Sequence, residues 1–250
     1  MYVARDINGN RVYADEADKN TEYFCPVCNG KVIPHQGELV VWHYAHKASC
    51  IDSWHYDMSD WHKNWQSRFP KEKQEVVMTY NGKTHRADVC MDNYVIEFQH
   101  SEISYSEIID RNEFYNKLRY KVIWVFDFAG VYEKPGGIIG YKEGTYRWQY
   151  PNRSITAIKP QNNRDVAILF DVGLLIKGFE DEYGGHSDVG MALLVDWAKD
   201  NYGQGPLSYS RFKAETLYSI DLTKTESLEY VMKTSRQRQF GNSKYIRWGD

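Results

Sequence analysis

The spacing of hydrophobic residues in the middle of the chain changes from a helical period to a strand period. Between residues 58 and 69, apolar side chains recur every three or four positions, and Ser59 can cap the helix that this spacing predicts. Residues 75–99 then divide into three strand-like segments at two tight-turn pairs, Asn81-Gly82 and Asp92-Asn93. This part of the chain therefore predicts a helix followed by a three-stranded antiparallel meander.

A second helix and a buried strand follow the meander. Ser104 and Glu107 form the two ends of a capping box, which predicts a helix that runs to about Arg119. Residues 121–127 are almost continuously apolar, as expected for a strand covered on both faces of its sheet. The order helix, three strands, helix and strand predicts a mixed α/β unit.

The regions on either side of this unit have weaker patterns. Residues 1–53 are rich in turns and predict a small β module that begins with a hairpin of MYVARDI and RVYADEA. Beyond the unit, TYRWQY and DVAILFDVGLLIKGF predict strands, and Val189 to Asn201 predicts a helix. We therefore divide the chain into a module at 1–53, a core at 54–128 and a C-terminal extension at 129–250 whose role the sequence does not reveal.

Three acidic residues fall into register when the meander is paired outward from its turns. Glu75 then lies opposite Asp88, and Asp88 opposite Glu97, all on one face of the sheet. Like charges that face one another across strands repel, so this arrangement favours a bound cation, and carboxylate oxygens suit Mg²⁺ or Mn²⁺. Another register or a solvated acidic face is the alternative. The apolar neighbours of Glu97 in VIEFQ favour the metal site, because an unpaired buried carboxylate is costly.

Composition and charge narrow the class of protein. With 42% apolar and 15% aromatic residues, the 250-residue chain can form a substantial core. Its longest apolar runs are too short to cross a bilayer, and its first residues lack the apolar segment of a signal peptide, so we expect a cytoplasmic protein without a membrane partner. The net charge of −3 gives no overall basic surface, so any contact with nucleic acid must come from local patches.

Two cysteines in the N-terminal module have the spacing of a zinc knuckle. Cys25 and Cys28 are separated by two residues, and the tight turn between them directs both thiolates at one ion. The second pair of ligands must come from His43, His46 and Cys50. We favour His46 and Cys50, because a helix-like spacing of four directs both at one point, and His43 is the alternate. Reduced cysteines without a metal are the competing interpretation of a site that otherwise holds structural zinc.

The arrangement of Asp88, Glu97 and Gln99 resembles the PD-(D/E)XK nuclease signature, with glutamine where lysine is usual. The longer segments VIEFQHSEISYSEIIDRNEFY and VIWVFD resemble the nuclease domain of the competence protein CoiA family, and CPVCNGKVIPHQGELVVWHYAH resembles its amino-terminal region. The resemblance covers roughly residues 20–127. It implies a restriction-endonuclease-like αβββαβ core behind a zinc-ribbon-like module, and a bacterial DNA nuclease acting in competence, recombination or defence with protein partners from those pathways.

The resemblance also implies roles for individual residues. The catalytic pair of the family corresponds to Asp88 and Glu97. We assign both as Mg²⁺ or Mn²⁺ ligands, and we assign Glu75, from the register of the meander, as a third acid in the inner or outer shell. Gln99 takes the place of the signature lysine, where a neutral amide can only position water. His62, in the first helix, is a candidate general acid or base, and a partly exposed helix histidine is the equal alternative.

The positive charge that a lysine would supply must then come from another residue. Lys63, Arg86 and Arg111 are the candidates for contact with the phosphate, although Arg111 can instead pair with Glu107 or Glu113 on its own helix. The leading hypothesis is a metal-dependent DNA nuclease. A catalytically lapsed DNA-binding or scaffold protein and an RNA-cleaving effector are the alternatives.

Overall fold

The strands of the protein form two sheets. The structure is a computed structural model that describes residues 1–38, 41–52, 54, 58–132, 138–142, 145–149, 154, 165–180, 186–196, 209–218 and 221–240. The smaller sheet has the order β2-β1-β3-β4-β5 and contains β1 (Val3–Arg5), β2 (Arg11–Tyr13), β3 (Tyr23–Phe24), β4 (Lys31–His35) and β5 (His43–His46). The predicted N-terminal hairpin is confirmed by the antiparallel pairing of β1 and β2.

The larger sheet has nine strands in the order β10-β11-β14-β13-β12-β9-β8-β7-β6. They are β6 (Gln74–Tyr80), β7 (Lys83–Met91), β8 (Tyr94–Gln99), β9 (Lys121–Asp127), β10 (Ile138–Lys142), β11 (Thr145–Gln149), β12 (Val166–Glu180), β13 (His186–Asp196) and β14 (Tyr209–Tyr218). The helices are α1 (Asp60–Gln66), α2 (Tyr105–Lys117), α3 (Ala129–Tyr132) and α4 (Thr225–Phe240), and a 3₁₀ turn spans Lys71–Lys73. None of the helices in the described ranges is long and apolar enough to cross a membrane.

Two tight turns set the register of strands β6, β7 and β8. Asn81 and Gly82 both adopt positive φ, 47° and 75°, as a type I′ turn requires, and Asp92 has φ 52°. The predicted pairs Tyr80 with Lys83 and Met91 with Tyr94 are both present. The predicted meander is therefore confirmed at each turn.

The predicted order of the core elements is also confirmed. Ser59 caps α1 by accepting the amide of His62, and Ser104 caps α2 by accepting the amide of Glu107. Helix α2 carries the chain across to β9, which lies parallel to β8. The fold is thus mixed α/β with a small N-terminal β module, as the sequence predicts.

The sheet continues into the C-terminal part of the chain. Strand β12 lies parallel to β9, and the strands predicted at TYRWQY and DVAILFDVGLLIKGF are confirmed as β11 and β12. The helix predicted from Val189 to Asn201 is wrong over residues 189–196, which belong to β13, and its remainder lies outside the described residues. Backbone pairing with β12 on one side and β14 on the other outweighs the local preference of this segment.

Each face of the large sheet carries its own apolar core. One face is covered by α2 and includes Trp54, Val95, Ile108, Tyr115, Trp124 and Phe170. The other face is covered by α1 and α4 and includes Trp65, Ile96, Phe98, Ile123, Leu228 and Val231. The helices that border the candidate site are therefore held on opposite faces by burial of apolar area.

Candidate active site and metal centre

Four side chains meet in the N-terminal module. One ligand atom each from Cys25, Cys28, His46 and Cys50 lies within 4.8 Å of the other three. The sulfur atoms of Cys25 and Cys50 are 4.0 Å apart, and Cys28 Sγ lies 3.4 Å from His46 Nε2. Ligands on a tetrahedral zinc ion with bonds of about 2.3 Å are separated by somewhat less than 4 Å. The four residues fit zinc.

Burial raises the pKa of the Cys25 thiol, whereas the turn that follows it favours the thiolate of Cys28. The amides of Val27 and Gly30 point at the sulfur atoms of Cys25 and Cys28, at 3.3 and 3.4 Å. Burial opposes the charge on Cys28, but the Gly30 amide and the neighbouring thiols hold the pKa of Cys28 below its ordinary value. A Cβ at Gly30 would lie 3.2 Å from Cys28 Sγ, so glycine keeps this approach open.

The second pair of ligands is the predicted one, but the reason given for it is wrong. His46 ends strand β5 and Cys50 lies in the loop after it, so no helix sets their spacing. The alternate candidate, His43, stacks on His35 with ring centres 5.2 Å apart and lies outside the cluster. Cys90, on β7, also lies outside it.

The two central acids lie where β7 and β8 stop pairing through their backbones. The described ladder runs from Met91–Tyr94 to Val89–Ile96, and one step further the same register sets Asp88 opposite Glu97. There Asp88 Oδ2 accepts the amide of Phe98 at 2.9 Å. Both carboxylates are buried, at 3% and 0% exposure. The strands thus open around a pair of buried acids.

Asp88 faces helix α1. The Nε2 of His62 lies 3.3 Å from Asp88 Oδ1, and Gln66 donates to the backbone carbonyl of Asp88 at 2.7 Å. Burial opposes a charge on the His62 imidazole and on the Asp88 carboxylate. Their mutual attraction outweighs burial, so the pKa of His62 is raised and that of Asp88 is lowered. His62 is therefore buried rather than partly exposed.

The imidazole of His62 is close to Asp88 but is not well aligned with it. Among the described residues, neither ring nitrogen of His62 has an aligned hydrogen-bond partner, and Gln66 Oε1 also lacks one. Buried polar atoms of this kind are normally satisfied by water, an ion or a ligand. The buried nitrogens of His62 beside Asp88 Oδ1 are therefore candidates to bind a further polar group.

Glu97 faces helix α2. Arg111 Nη1 donates to Glu97 Oε2 at 2.6 Å, and the Tyr115 hydroxyl donates to Oε1 at 2.7 Å. Burial, followed by the charge of Asp88, raises the pKa of Glu97 to about 7 even though Arg111 and Tyr115 oppose the shift. Arg111 also binds Glu107, one turn earlier on α2, at 2.5 Å, so its guanidinium is buried while this second ion pair is partly exposed.

Glu75, the third predicted acid, binds backbone amides of the N-terminal module. Glu75 stands opposite Asp88, between the paired residues of β6, but its carboxylate accepts the amides of Tyr2 and Val3 at 2.7 and 2.8 Å. Arg86 Nε lies 3.7 Å from the same carboxylate. Glu75 adopts φ 44°, which is rare for a non-glycine residue and is supported here by these contacts.

The remaining predicted residues lie near the acids without contacting them. Lys63 places its ammonium group 4.7 Å from the ring centre of Tyr2, in the junction between module and core. The Gln99 amide donates to the carbonyl of Ser101 at 2.8 Å and is nearly buried. Glu113 pairs with Lys117 on the surface of α2, away from Arg111.

Sequence patterns did not identify two groups that hold the acids. The apolar stripe of α2 assigns Tyr115 to the core, and Gln66 falls at the end of α1 without any motif. A hydroxyl on an otherwise apolar helix face opposite Glu97 is the signal that points to Tyr115, because a buried phenol needs a partner. Gln66 has no comparable signal.

A divalent cation fits one edge of this site. Asp88 Oδ1 and His62 Nε2 are 3.3 Å apart, close to the roughly 3 Å between adjacent ligands of an octahedral Mg²⁺ or Mn²⁺ ion. Glu97 is the further carboxylate beside this edge, and both its oxygens already have protein donors. Within the described part of the chain, the Cys/His cluster alone brings three or more ligand atoms together.

Two family models match the chain. Residues 8–51 match the model described as Competence protein CoiA, N-terminal domain, and residues 56–146 match Competence protein CoiA, nuclease-like domain. The chain belongs to the CoiA-like competence protein family. No curated protein and no solved structure matches it. In this CoiA-like chain the first match contains the Cys/His cluster and the second contains the paired acids. The nuclease-like label agrees with the PD-(D/E)XK resemblance.

The Cys/His cluster predicts that the CoiA-like protein carries one zinc ion. Replacing Cys28 by serine removes a thiolate from the site, so zinc content should fall to near zero and the unfolding temperature should drop. Metal analysis and thermal unfolding measure both effects. Cys90→Ser, outside the cluster, is the matched control and should keep the zinc. A wild-type protein grown with zinc but isolated without it would contradict the prediction.

The environment of Glu97 predicts an unusual titration in the metal-free CoiA-like protein. Because its pKa rises from 4.5 to about 7, the folded protein holds a proton that the unfolded chain releases between these values. Protonation of Glu97 therefore stabilises the folded state fully below pH 4.5, and this stabilisation is lost as the pH rises through 7. Carboxyl ¹³C shifts should show this midpoint in the wild type and not in Glu97→Gln. A midpoint below pH 5 for Glu97 would refute it.

Proposed function

We propose that this protein is a metal-dependent nuclease that hydrolyses phosphodiester bonds in DNA. The observation that carries the proposal is the pair of buried acids, Asp88 and Glu97, at the point where two strands separate. Buried like charges destabilise a fold unless they are compensated. A functional need for two acids at one place explains why the chain keeps them together.

The proposed metal supplies the part of the chemistry that the side chains lack. Asp88 and His62 would hold Mg²⁺ or Mn²⁺, with Glu97 as the further carboxylate. A bound ion would polarise the phosphate and lower the pKa of a water molecule. Asp88 is suited to this role because one of its oxygens is fixed by the Phe98 amide while the other faces His62. His62 is placed to bind the ion or to hold a proton at Nε2.

Arg111 is the residue best placed to replace the positive charge of the signature lysine. Its guanidinium is buried beside Glu97 and is fixed from the other side by Glu107. A fixed guanidinium can bind phosphate oxygens without further ordering of its own side chain. Gln99 is oriented by Ser101, and its amide can position a water molecule.

A DNA-binding protein without cleavage activity is the second candidate. The ion pair between Arg111 and Glu97 favours it, because the guanidinium already neutralises one of the two acids. In this alternative Arg111 fills the place of the metal permanently. The position of His62 beside Asp88 favours the nuclease, because neither ring nitrogen of His62 has an aligned hydrogen-bond partner among the described residues.

We expect the purified protein to cut DNA in the presence of Mg²⁺ or Mn²⁺ and not in EDTA. Glu97→Gln keeps the shape of the side chain but removes its charge, and should lower the rate by at least about 100-fold. Glu113→Gln, which makes the same change at an exposed position of α2, is the matched control and should leave the rate unchanged. Linear, circular and single-stranded DNA and RNA, incubated in parallel, identify the substrate.

The alternative predicts a different result in the same assay. If no nucleic acid is cut with any metal while wild type and Glu97→Gln bind DNA equally well, the protein is a binding module. Cleavage of RNA alone would show that the chemistry is right and that the assigned substrate is wrong.

A further inference from the structure

Helix α1 is held by one carboxylate from a strand that lies beyond both family matches. Asp171, on β12, accepts hydrogen bonds at Oδ2 from the indole nitrogens of Trp61 and Trp65, each at 2.8 Å. Its Oδ1 accepts the backbone amide of Gly173 at 3.0 Å. Three donors therefore fix both oxygens of this side chain.

Asp171 lies at the same end of the sheet as the candidate active site. It pairs with Asp127 of β9, one step beyond the pair Phe170–Phe126. On the other side of β9, Phe126 pairs with Gln99, the last residue of β8. Strands β8 and β9 end at this edge of the sheet, whereas β12 continues to Glu180, so Asp171 lies beside the carboxyl ends of β8 and β9.

The two indole contacts determine how α1 is rotated. Trp61 and Trp65 are four residues apart and share one face of a helix that is only seven residues long. Two hydrogen bonds to a single oxygen fix both the rotation of such a helix and its position along its axis. His62 follows Trp61 and points about 100° away around the helix, towards Asp88.

Apolar packing of α1 does not fix the rotation of the helix in the same way. Trp65 stacks on Phe98 with ring centres 5.8 Å apart, and α4 adds Leu228 and Val231 to the same core. Burial of apolar area is non-directional and tolerates small rotations of a helix. The directional contacts of α1 are the two hydrogen bonds to Asp171, which hold Trp61 and Trp65, and the hydrogen bond from Gln66 at the end of the helix to the Asp88 carbonyl.

We propose that Asp171 is a positioning residue, which aims His62 at Asp88 by holding the indole groups of Trp61 and Trp65. The proposal rests on the nuclease function proposed above. It also gives a role to part of the C-terminal extension, because β12 supplies the residue that completes the support of the active site. Gly173, at φ 66°, presents its amide to Asp171 in a conformation that favours glycine.

The test compares two substitutions at position 171. Asp171→Leu removes both acceptors, whereas Asp171→Asn keeps a carbonyl oxygen that can accept the indole groups. In crystal structures of the metal-free proteins, His62 Nε2 should move beyond about 4 Å from Asp88 Oδ1 in Asp171→Leu and stay in place in Asp171→Asn. Cleavage should fall by about 10- to 100-fold in Asp171→Leu and be largely retained in Asp171→Asn.

A matched control separates positioning from general loss of stability. Leu228→Ala opens a cavity in the core that α1 and α4 share, but it removes no hydrogen bond to α1. It should lower the unfolding temperature and leave both the His62–Asp88 contact and the cleavage rate unchanged. If Asp171→Leu does not fold, the double variant Trp61→Phe, Trp65→Phe removes both donors, keeps aromatic rings and should show the same displacement of His62.

Two results would overturn the proposal. One is an unchanged His62–Asp88 separation in Asp171→Leu and in the double phenylalanine variant. The other is a displaced His62 with an unchanged rate of cleavage. A wild-type protein that cleaves no nucleic acid would sink the proposed nuclease instead, and the His62–Asp88 separation in the variants would then decide by itself whether Asp171 aims the histidine.

Discussion

Burial of two carboxylates side by side is the constraint on which the rest of this structure depends. Transfer of each charge out of water costs several kcal/mol, and the mutual repulsion of Asp88 and Glu97 adds to that cost. The fold offsets it with donors from two directions. The Phe98 amide donates to Asp88, and the imidazole of His62 lies 3.3 Å from its other oxygen. Arg111 and Tyr115 donate to Glu97. Each of the two helices that border the meander therefore contributes side chains that interact with one of the acids.

Polar and aromatic contacts connect the N-terminal module to the surroundings of the two acids. Asp52 lies two residues after the zinc candidate Cys50 and binds the imidazole of His85 at 2.9 Å. Trp54 stacks on His85 with ring centres 3.5 Å apart, and the guanidinium of Arg111 lies 5.2 Å from the Trp54 ring centre. The loop that leaves the Cys/His cluster thus reaches the arginine that binds Glu97. Glu75 makes the second connection by accepting the amides of Tyr2 and Val3 at the start of β1.

Local features were predictable from the sequence, and tertiary ones were not. The turns at Asn81-Gly82 and Asp92-Asn93 fix the meander register because turn geometry depends on a few neighbouring residues. The partners of the acids depend on how whole helices pack, so the burial of His62 and the part played by Asp171 have no signature in sequence. The helix predicted from Val189 is wrong over residues 189–196 for the same reason, since the partners of this strand in the sheet are set by tertiary pairing.

The most direct test of this account is an anomalous-scattering map from a crystal soaked in Mn²⁺. The account predicts a peak beside Asp88 Oδ1 at a bonding distance of about 2.2 Å, with His62 Nε2 among its ligands. A second strong feature from zinc is expected at the Cys/His cluster and serves as an internal standard, because zinc and manganese are distinguished by their absorption edges. A map with no manganese at Asp88, and with Arg111 still bound to Glu97, would contradict the account.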